Sequence, residues 1–290
     1  MYRGGTCWAL LQLDLPTQDR APAGSEQSGI GPVNDIAAQS RESVAVSVLT
    51  TPANKLFWSL PYRLRQQVFR RLRPELAGYY KRLLNGQDGG YSIQPMLERG
   101  CLFIHIPKCA GLAVSHALFG GLGGGHLPVA HYQLMLDASQ YMRLFKFAVV
   151  RNPFDRLLSA YRFLASGGLN ARDAAWAART LPAYDGFADF VERWLTPQRA
   201  AQALHFRPQV SFLRIPGRRR IEVDFIARQE HLAEDFVRLC SHLGVGHLPL
   251  ERRNLSAPPD TDYRRAYSDR AREIATAVYR DDLTLIGCTF

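Results

Sequence analysis

Residues 101–119, CLFIHIPKCAGLAVSHALF, constrain the fold more than any other stretch, because their hydrophobic pattern changes from that of a strand to that of a helix. Residues 102–106 form a short run rich in strand-forming side chains, and Pro107 ends it by removing a backbone donor. Apolar residues then recur at helical spacing, at Val114, Ala117 and Leu118. The unpaired N–H groups of the first helical turn, near Gly111, would face the space above the strand end and attract phosphate or sulfate.

The turn between strand and helix carries a lysine, Lys108, which adds a mobile positive charge beside the helix N-terminus. It is not a Walker A loop, because the lysine precedes the glycine and no Ser or Thr hydroxyl is placed for Mg²⁺. Two interpretations stay open at this point, an anion-binding loop and a plain buried connection between strand and helix.

Composition limits the class of protein. A chain of 290 residues with 47% hydrophobic content can bury a full core, and its net charge of +10 favours an anionic partner: nucleic acid, an anionic membrane surface, a polyanionic sugar or a phosphorylated cofactor. Its five cysteines are scattered without a C-x-x-C pair, so we expect neither a disulfide framework nor a zinc site. No apolar run is long enough to span a membrane, and the first residues do not form a convincing signal peptide.

The first hundred residues differ in character from the rest. We expect residues 1–52 to be a disordered tail, residues 53–98 a basic helical extension and residues 99–290 one folded domain. In the segment 54–84, Pro61 and Pro74 should break the helix into short pieces. An apolar row on this helix consists of Leu64, Val68 and Leu72. The segment either contacts an anionic membrane or polysaccharide, or packs as an extension whose arginines are solvated.

A second strand-to-helix junction follows the first. The glycine-rich loop 120–125 delivers His126 and His131 and can fold back over the strand ends. Residues 145–150 then form a strand, Arg151 stands at its carboxyl end, and Asn152 and Pro153 suit the first positions of a helix. A guanidinium fixed at the edge of a sheet suits a phosphate group.

These elements predict an α/β fold, a P-loop-like three-layer sandwich with a central, mainly parallel sheet flanked by helices on both sides. Further apolar spacing predicts a helix over 134–143, packed helices over 187–195 and 231–243, and a strand over 221–226. Both anion-binding junctions would lie at the carboxyl edge of the sheet.

The segments 106–111 and 150–161, IPKCAG and VRNPFDRLLSAY, together resemble the carbohydrate sulfotransferases, such as the heparan and chondroitin sulfotransferases of the Golgi. The resemblance extends to residues 205–209, 224–230 and 254–256 and covers roughly residues 100–290, so it implies that 99–290 is a sulfotransferase domain. It also implies a co-substrate, 3′-phosphoadenosine-5′-phosphosulfate (PAPS), and a glycan or polysaccharide acceptor, without a metal.

The resemblance assigns site residues. The loop that holds the 5′-phosphosulfate group would consist of Lys108, Cys109, Ala110, Gly111, Leu112 and Ala113. The 3′-phosphate would be held by Arg151 and Ser159. This chain departs from the family where hydroxyl residues usually flank the glycine, since it has Cys109 and Leu112 there. Donor contacts would then rely on backbone N–H groups, Lys108 and, if it faces inward, Ser115.

Two catalytic roles follow. By analogy with phosphoryl transfer, Lys108 would stabilise charge on the bridging oxygen as the nucleotide leaves. His126 is the first choice for the general base that takes the proton from the acceptor hydroxyl, and His131 is its rival. His205 would contact the acceptor or support the site.

Two other functions stay open. One is a nucleotide-dependent kinase, against which the missing Walker lysine and hydroxyl argue. The other is a non-enzymatic basic protein that binds nucleic acid or a membrane through residues 54–84. We favour the enzyme and expect no nucleic-acid partner. A soluble, bacterial-type member of the family would be cytoplasmic, with peripheral membrane contact through 54–84, whereas animal relatives act in the Golgi behind a membrane anchor.

Overall fold

The structure is a computed structural model that describes residues 52–87, 91–250 and 262–290. The tail predicted over 1–52 lies outside these residues except for its last position. Within the described part, no helix is both long enough and apolar enough to cross a membrane.

The N-terminal region is helical and broken where the prolines predict. Its elements are α1 (Pro52–Ser59), α2 (Tyr62–Leu72), α3 (Pro74–Leu84) and α4 (Gln94–Glu98). Pro61 occupies the position before α2, and Pro74 opens α3, where its missing N–H removes no helical hydrogen bond. Both predicted breaks are therefore confirmed.

The described strands form one parallel sheet in the order β1 (Cys101–Ile104), β2 (Phe145–Val150) and β3 (Phe225–Arg228). Phe103 pairs with Phe147, and Phe147 in turn with Phe225, which sets the register. The central strand is almost continuously buried, as expected for a parallel strand covered on two faces. Because the strands are parallel, the loops that follow β1 and β2 leave the sheet at the same edge.

The third strand begins later than predicted, at Phe225 and not at Ile221. Ile221 forms an isolated antiparallel bridge with Arg214, away from the sheet. The Asp224 carboxylate accepts a hydrogen bond of 2.8 Å from the Lys146 N–H and pairs with the Lys146 ammonium at 3.3 Å. These contacts bring the chain alongside β2 only at this point, so the ladder starts with the next residue.

Helices make up the connections between the strands. The first crossover contains α5 (Gly111–Phe119), α6 (Val129–Met135) and α7 (Ala138–Arg143). The single helix predicted over 134–143 is thus two helices, because Asp137 caps α7 by accepting a hydrogen bond of 2.8 Å from the Gln140 N–H. The second crossover and the C-terminal part contain α8 (Pro153–Ala165), α9 (Ala171–Thr180), α10 (Phe187–Trp194), α11 (Pro197–Gln202), α12 (Val210–Leu213), α13 (Leu232–His242), α14 (Asp269–Val278) and α15 (Arg280–Ile286).

Two hydrophobic clusters hold these elements together. One surrounds the sheet and includes side chains of α3 such as Tyr80 and Leu83. The other joins α8, α10 and α14 around Phe154, Phe190 and Trp194. The predicted α/β class, a parallel sheet flanked by helices as in a P-loop-like sandwich, is confirmed.

Candidate functional site

The loop after β1 has a backbone shaped to bind an anion. Lys108 and Ala110 lie in the left-handed region, with φ of 68° and 56°, whereas Cys109 between them does not. When residues alternate between these two backbone conformations, their successive N–H groups point into the same concavity. Such a concavity, called a nest, binds phosphate-like groups. Helix α5 begins directly after Ala110 and adds the N–H groups of its first turn. The turn between strand and helix therefore has a strained backbone next to a helix N-terminus, the geometry that the predicted anion-binding loop requires.

Gly111 lies directly against the ring of His105, and the loop can take this course because glycine has no side chain. A Cβ atom at Gly111 would come within 2.0 Å of His105 Cδ2. The His105 ring stacks on Phe103 with its centroid 5.3 Å away and is almost fully buried. Burial holds the pKa of His105 well below its ordinary value, so this histidine is a neutral packing residue.

Arg151, the first residue after β2, contacts the loop directly. Its Nη1 donates a hydrogen bond of 3.1 Å to the carbonyl oxygen of Lys108, and its Nε donates one of 2.8 Å to Asp155. Three of its five N–H groups are not engaged by the described residues and can bind an anion. The two junctions predicted separately are thus in direct contact.

The start of α8 fixes the position of Arg151. The Asn152 side chain accepts a hydrogen bond of 3.0 Å from the Phe154 N–H, and Pro153 occupies the first turn. The Asn152 N–H donates to the Glu230 carboxylate at 2.5 Å, which ties the junction to the end of β3. The predicted N-cap is confirmed.

Gln209 is a site residue that sequence reasoning missed, although it belongs to a segment of the family resemblance. Its side-chain amide is fully buried and brackets Arg151, accepting from the Arg151 N–H at 3.0 Å and donating to the Arg151 carbonyl at 2.8 Å. The backbone N–H groups of Gln209 and Val210 donate to the buried carboxylate of Asp282 at 2.7 and 2.8 Å. Burial raises the pKa of Asp282 to about 6. This chain of contacts holds the end of β2 rigidly.

Arg156 is a second residue that was missed. It is buried on α8, where its Nε donates to the Pro107 carbonyl at 2.9 Å and its Nη2 donates to the His205 carbonyl at 3.2 Å. The sequence does contain a sign of this role, because Arg156 stands among the apolar residues of the helix. A charged group in that position needs hydrogen-bond partners from elsewhere in the fold. Arg156 fixes the start of the loop relative to His205.

The ammonium group of Lys108 lies over the ring of Phe163, 3.9 Å from its centroid. Burial lowers the pKa of Lys108 to about 8, and the positive charge of the neighbouring Arg151 is the second cause of this shift. The cations Lys108, Arg151 and Arg156 therefore share one edge of the sheet. An anionic ligand would relieve this repulsion and raise the pKa of Lys108.

His126 lies at the end of β1, where the glycine-rich loop returns it. Its Nδ1 is 3.0 Å from the carbonyl oxygen of His105, and its ring centroid is 4.2 Å from that of His105. Because a carbonyl can only accept, Nδ1 carries the proton, and Nε2 of the neutral ring keeps its lone pair. Burial, together with the nearby His205, lowers the pKa of His126 to about 4. The ring is therefore neutral at pH 7 and able to accept a proton.

His131, the rival base, lies elsewhere. It is buried on α6 with its Nδ1 2.6 Å from the hydroxyl oxygen of Tyr80 on α3. Burial lowers its pKa to about 3. The structure thus places His126 against His105, just before the loop that follows β1, and packs His131 against the N-terminal helices.

A cavity of about 290 Å³ lies on the α9 side of the site. Its wall includes His205, whose Nε2 is 3.1 Å from the Asp173 carboxylate, and the indoles of Trp176 and Trp194. The His205 ring is 5.0 Å from the ring of Phe163, which also contacts Lys108. The cavity is therefore linked to Lys108 through two aromatic rings, those of His205 and Phe163.

The remaining predicted residues differ in accessibility. Burial raises the pKa of the Cys109 thiol to about 12, and its Sγ contacts Gln209 Oε1 at 3.4 Å, so the thiol is a packing group and not an activated one. Ser115 does not face the loop, because its hydroxyl donates to the Gly121 carbonyl at 2.6 Å. Ser159 is largely buried on α8. Leu112 is half-buried and Ala113 buried in the first turn of α5.

Within the described ranges, no group of three or more His, Cys, Asp or Glu side chains is arranged to hold a metal ion. The segment 254–256 lies outside the described residues.

Comparison with known proteins gives one match. The model of a family described as the sulfotransferase family matches residues 129–286, which is more than half of the chain and includes Arg151, Ser159 and Gln209. The matched region begins after Lys108 and His126. Searches among curated proteins and solved structures found no match to this chain.

Proposed function

Because the chain belongs to the sulfotransferase family, a family of transferases, we propose that it moves the sulfuryl group of PAPS to a hydroxyl of a carbohydrate acceptor. One observation carries the proposal: Arg151 donates to the carbonyl of Lys108, so two anion-binding junctions lie side by side. A ligand with two separated anionic groups fits such a pair better than one with a single phosphate.

The donor would bind mainly through backbone N–H groups. The alternating backbone of residues 108–110 and the first turn of α5, residues 111–113, face the 5′-phosphosulfate. Arg151, with three N–H groups left, and Ser159 bind the 3′-phosphate. The missing hydroxyls at Cys109 and Leu112 make the backbone contribution the larger part of donor binding.

Transfer would follow an in-line path. The acceptor oxygen attacks the sulfur, the bond from sulfur to the bridging oxygen breaks, and Lys108 stabilises the negative charge left on the departing nucleotide. The proton of the acceptor hydroxyl goes to Nε2 of His126, because Nδ1 of that ring already carries a proton for the His105 carbonyl. The negative donor would raise the pKa of both side chains toward the values that these roles need.

The acceptor would enter from the cavity beside His205. Two indole rings, Trp176 and Trp194, line it, and an indole can cover the apolar face of a sugar ring. His205 in the wall of this cavity is next to Phe163, whose ring contacts the ammonium group of Lys108. A pyranose there would lie next to the transferable group.

The test measures transfer of radioactive sulfate from labelled PAPS to a panel of oligosaccharides. Lys108→Ala and Arg151→Ala should each abolish transfer, whereas Arg179→Ala, which removes an exposed arginine of α9, should not. Adenosine 3′,5′-bisphosphate should raise the melting temperature, and ATP with Mg²⁺ should not. Normal transfer by Lys108→Ala would refute the assignment, and stabilisation by ATP with Mg²⁺ alone would favour a kinase.

A further inference from the structure

An apolar row on α2 faces solvent. The side chains of Leu64 and Leu72 are 44% and 59% exposed, and Val68 between them is half-buried. These residues form the apolar face that the helical spacing defines, and such a face normally packs inward. Leu56 on α1 is 69% exposed as well. Large apolar side chains exposed on neighbouring elements commonly mark a contact with a partner or a membrane.

The face of α2 next to this row is buried, and it makes polar contacts with the rest of the fold. Arg65 donates from Nη2 to the side-chain oxygen of Gln133 at 2.7 Å, and Gln66 donates to the Gln133 carbonyl at 3.1 Å. Tyr62 donates to the Leu136 carbonyl at 3.1 Å. These three residues attach α2 to the end of α6, so the helix cannot rotate to bury its leucines.

Arg65 also fixes α1 against α2. Its Nη1 donates to the Trp58 carbonyl at 3.1 Å, and its guanidinium lies over the Trp58 ring at 4.9 Å. Arg65 is 2% exposed, so this contact between α1 and α2 is buried. The exposed leucines are therefore a stable feature of the folded chain.

Positive charge accompanies the leucines. The segments of α1 and α2 contain no Asp or Glu, and their exposed cations are Lys55, Arg63, Arg70 and Arg71. We call the exposed part of α1 and α2, which carries these four cations and Leu56, Leu64 and Leu72, the basic leucine surface. It combines the two properties of helices that lie in the membrane interface, an apolar stripe and a cationic flank.

We propose that the basic leucine surface docks the protein on an anionic lipid bilayer, with the leucines in the headgroup region and the arginines on lipid phosphates and carboxylates. A nucleic acid or a polysaccharide would use the cations and leave the leucines in water, whereas a bilayer accommodates both. This inference does not depend on the proposed function.

The test is sedimentation of the full chain with vesicles of phosphatidylcholine and phosphatidylserine in equal parts, compared with phosphatidylcholine alone. We expect binding to the anionic vesicles that weakens with salt. Leu64→Ser with Arg71→Gln should weaken it roughly tenfold or more. The matched control, Leu169→Ser with Arg179→Gln, also removes one exposed leucine and one exposed arginine, and should bind as the natural chain does.

Each other result overturns the proposal: no vesicle binding, equal binding to both kinds of vesicle, or equal loss in both double variants. Retention on heparin or DNA that the Leu64 variant loses, without vesicle binding, would identify a polyanion as the partner. Self-association lost in that variant, again without vesicle binding, would identify a second copy. Circular dichroism and the conservative variant Arg71→Lys, which should still bind, exclude misfolding as the cause.

Discussion

The guanidinium of Arg151 and the backbone carbonyl of Lys108 are 3.1 Å apart, and this contact joins the loops that follow two neighbouring parallel strands. It aligns one anion-binding loop with a second cationic group, and it occupies only one of the terminal N–H groups of the arginine. Because the carbonyl belongs to the backbone, substitution can change only the arginine, and replacing Arg151 should affect donor binding more than folding.

Arg151→Lys should weaken binding of adenosine 3′,5′-bisphosphate by roughly tenfold to a hundredfold. Lysine keeps the charge, but its three N–H groups share one nitrogen and cannot reproduce the planar fork that reaches Lys108, Asp155 and a phosphate. Titration calorimetry measures the affinity, and Arg179→Lys is the control on an exposed arginine. An unchanged affinity would show that the phosphate does not contact Arg151.

Gly111→Ala should destabilise the protein by about 1–3 kcal/mol and impair donor binding. The added methyl group would lie 2.0 Å from the buried His105 ring, so either the ring or the loop must move. Urea unfolding measures the free energy. Gly246→Ala is the control, since no atom lies within 4 Å of a Cβ there. Equal effects of the two substitutions would contradict the role given to Gly111.

His126→Asn should lower kcat by roughly 10²- to 10⁴-fold and leave the affinity for adenosine 3′,5′-bisphosphate unchanged, because only the proton transfer loses its acceptor. His131→Asn should act differently. It removes the 2.6 Å contact with Tyr80 and should reduce the free energy of unfolding while largely sparing kcat. Loss of kcat in the His131 variant alone would reverse the assignment of the base.

The pH dependence of kcat/KM should show a plateau between about pH 4 and about pH 8. Below the first value His126, whose pKa is about 4, becomes protonated and can no longer accept a proton. Above the second value Lys108, whose pKa is about 8, loses the charge that binds the donor. Bound donor should raise the pKa of Lys108, so the basic limb of kcat should lie at higher pH. An acid limb near the ordinary histidine pKa of about 6.5 would contradict this assignment.

Asp282→Asn should change how stability depends on pH. Burial raises the pKa of Asp282 in the folded chain to about 6, above its unfolded value, so the folded state binds the extra proton between about pH 4 and 6. As the pH rises through this window, the natural protein should lose free energy of unfolding relative to the variant, by about 2–3 kcal/mol in all. Parallel curves for the two proteins would show that Asp282 does not titrate there.

Local sequence determined the two junctions of the site. The strand run before Pro107, the glycine at the start of α5, and the Asn152 and Pro153 pair that begins α8 act through neighbours a few residues away. Hydrophobic spacing and capping chemistry therefore predict them, and the parallel order of the strands follows from their helical crossovers. Lys108, Gly111 and Arg151 could be named on this basis.

Only the tertiary structure decided which side chains support that site and which helix face is buried. Gln209 brackets Arg151 from 58 positions away, and Arg65 meets Gln133 across 68 positions. Neither partner is recognisable from spacing, because a buried polar group is satisfied by whichever distant donor or acceptor the packing brings near it. For the same reason the leucine row of α2 faces solvent although helical periodicity alone would bury it. The contacts of Arg65 and Gln66 with the end of α6 set the rotation of that helix.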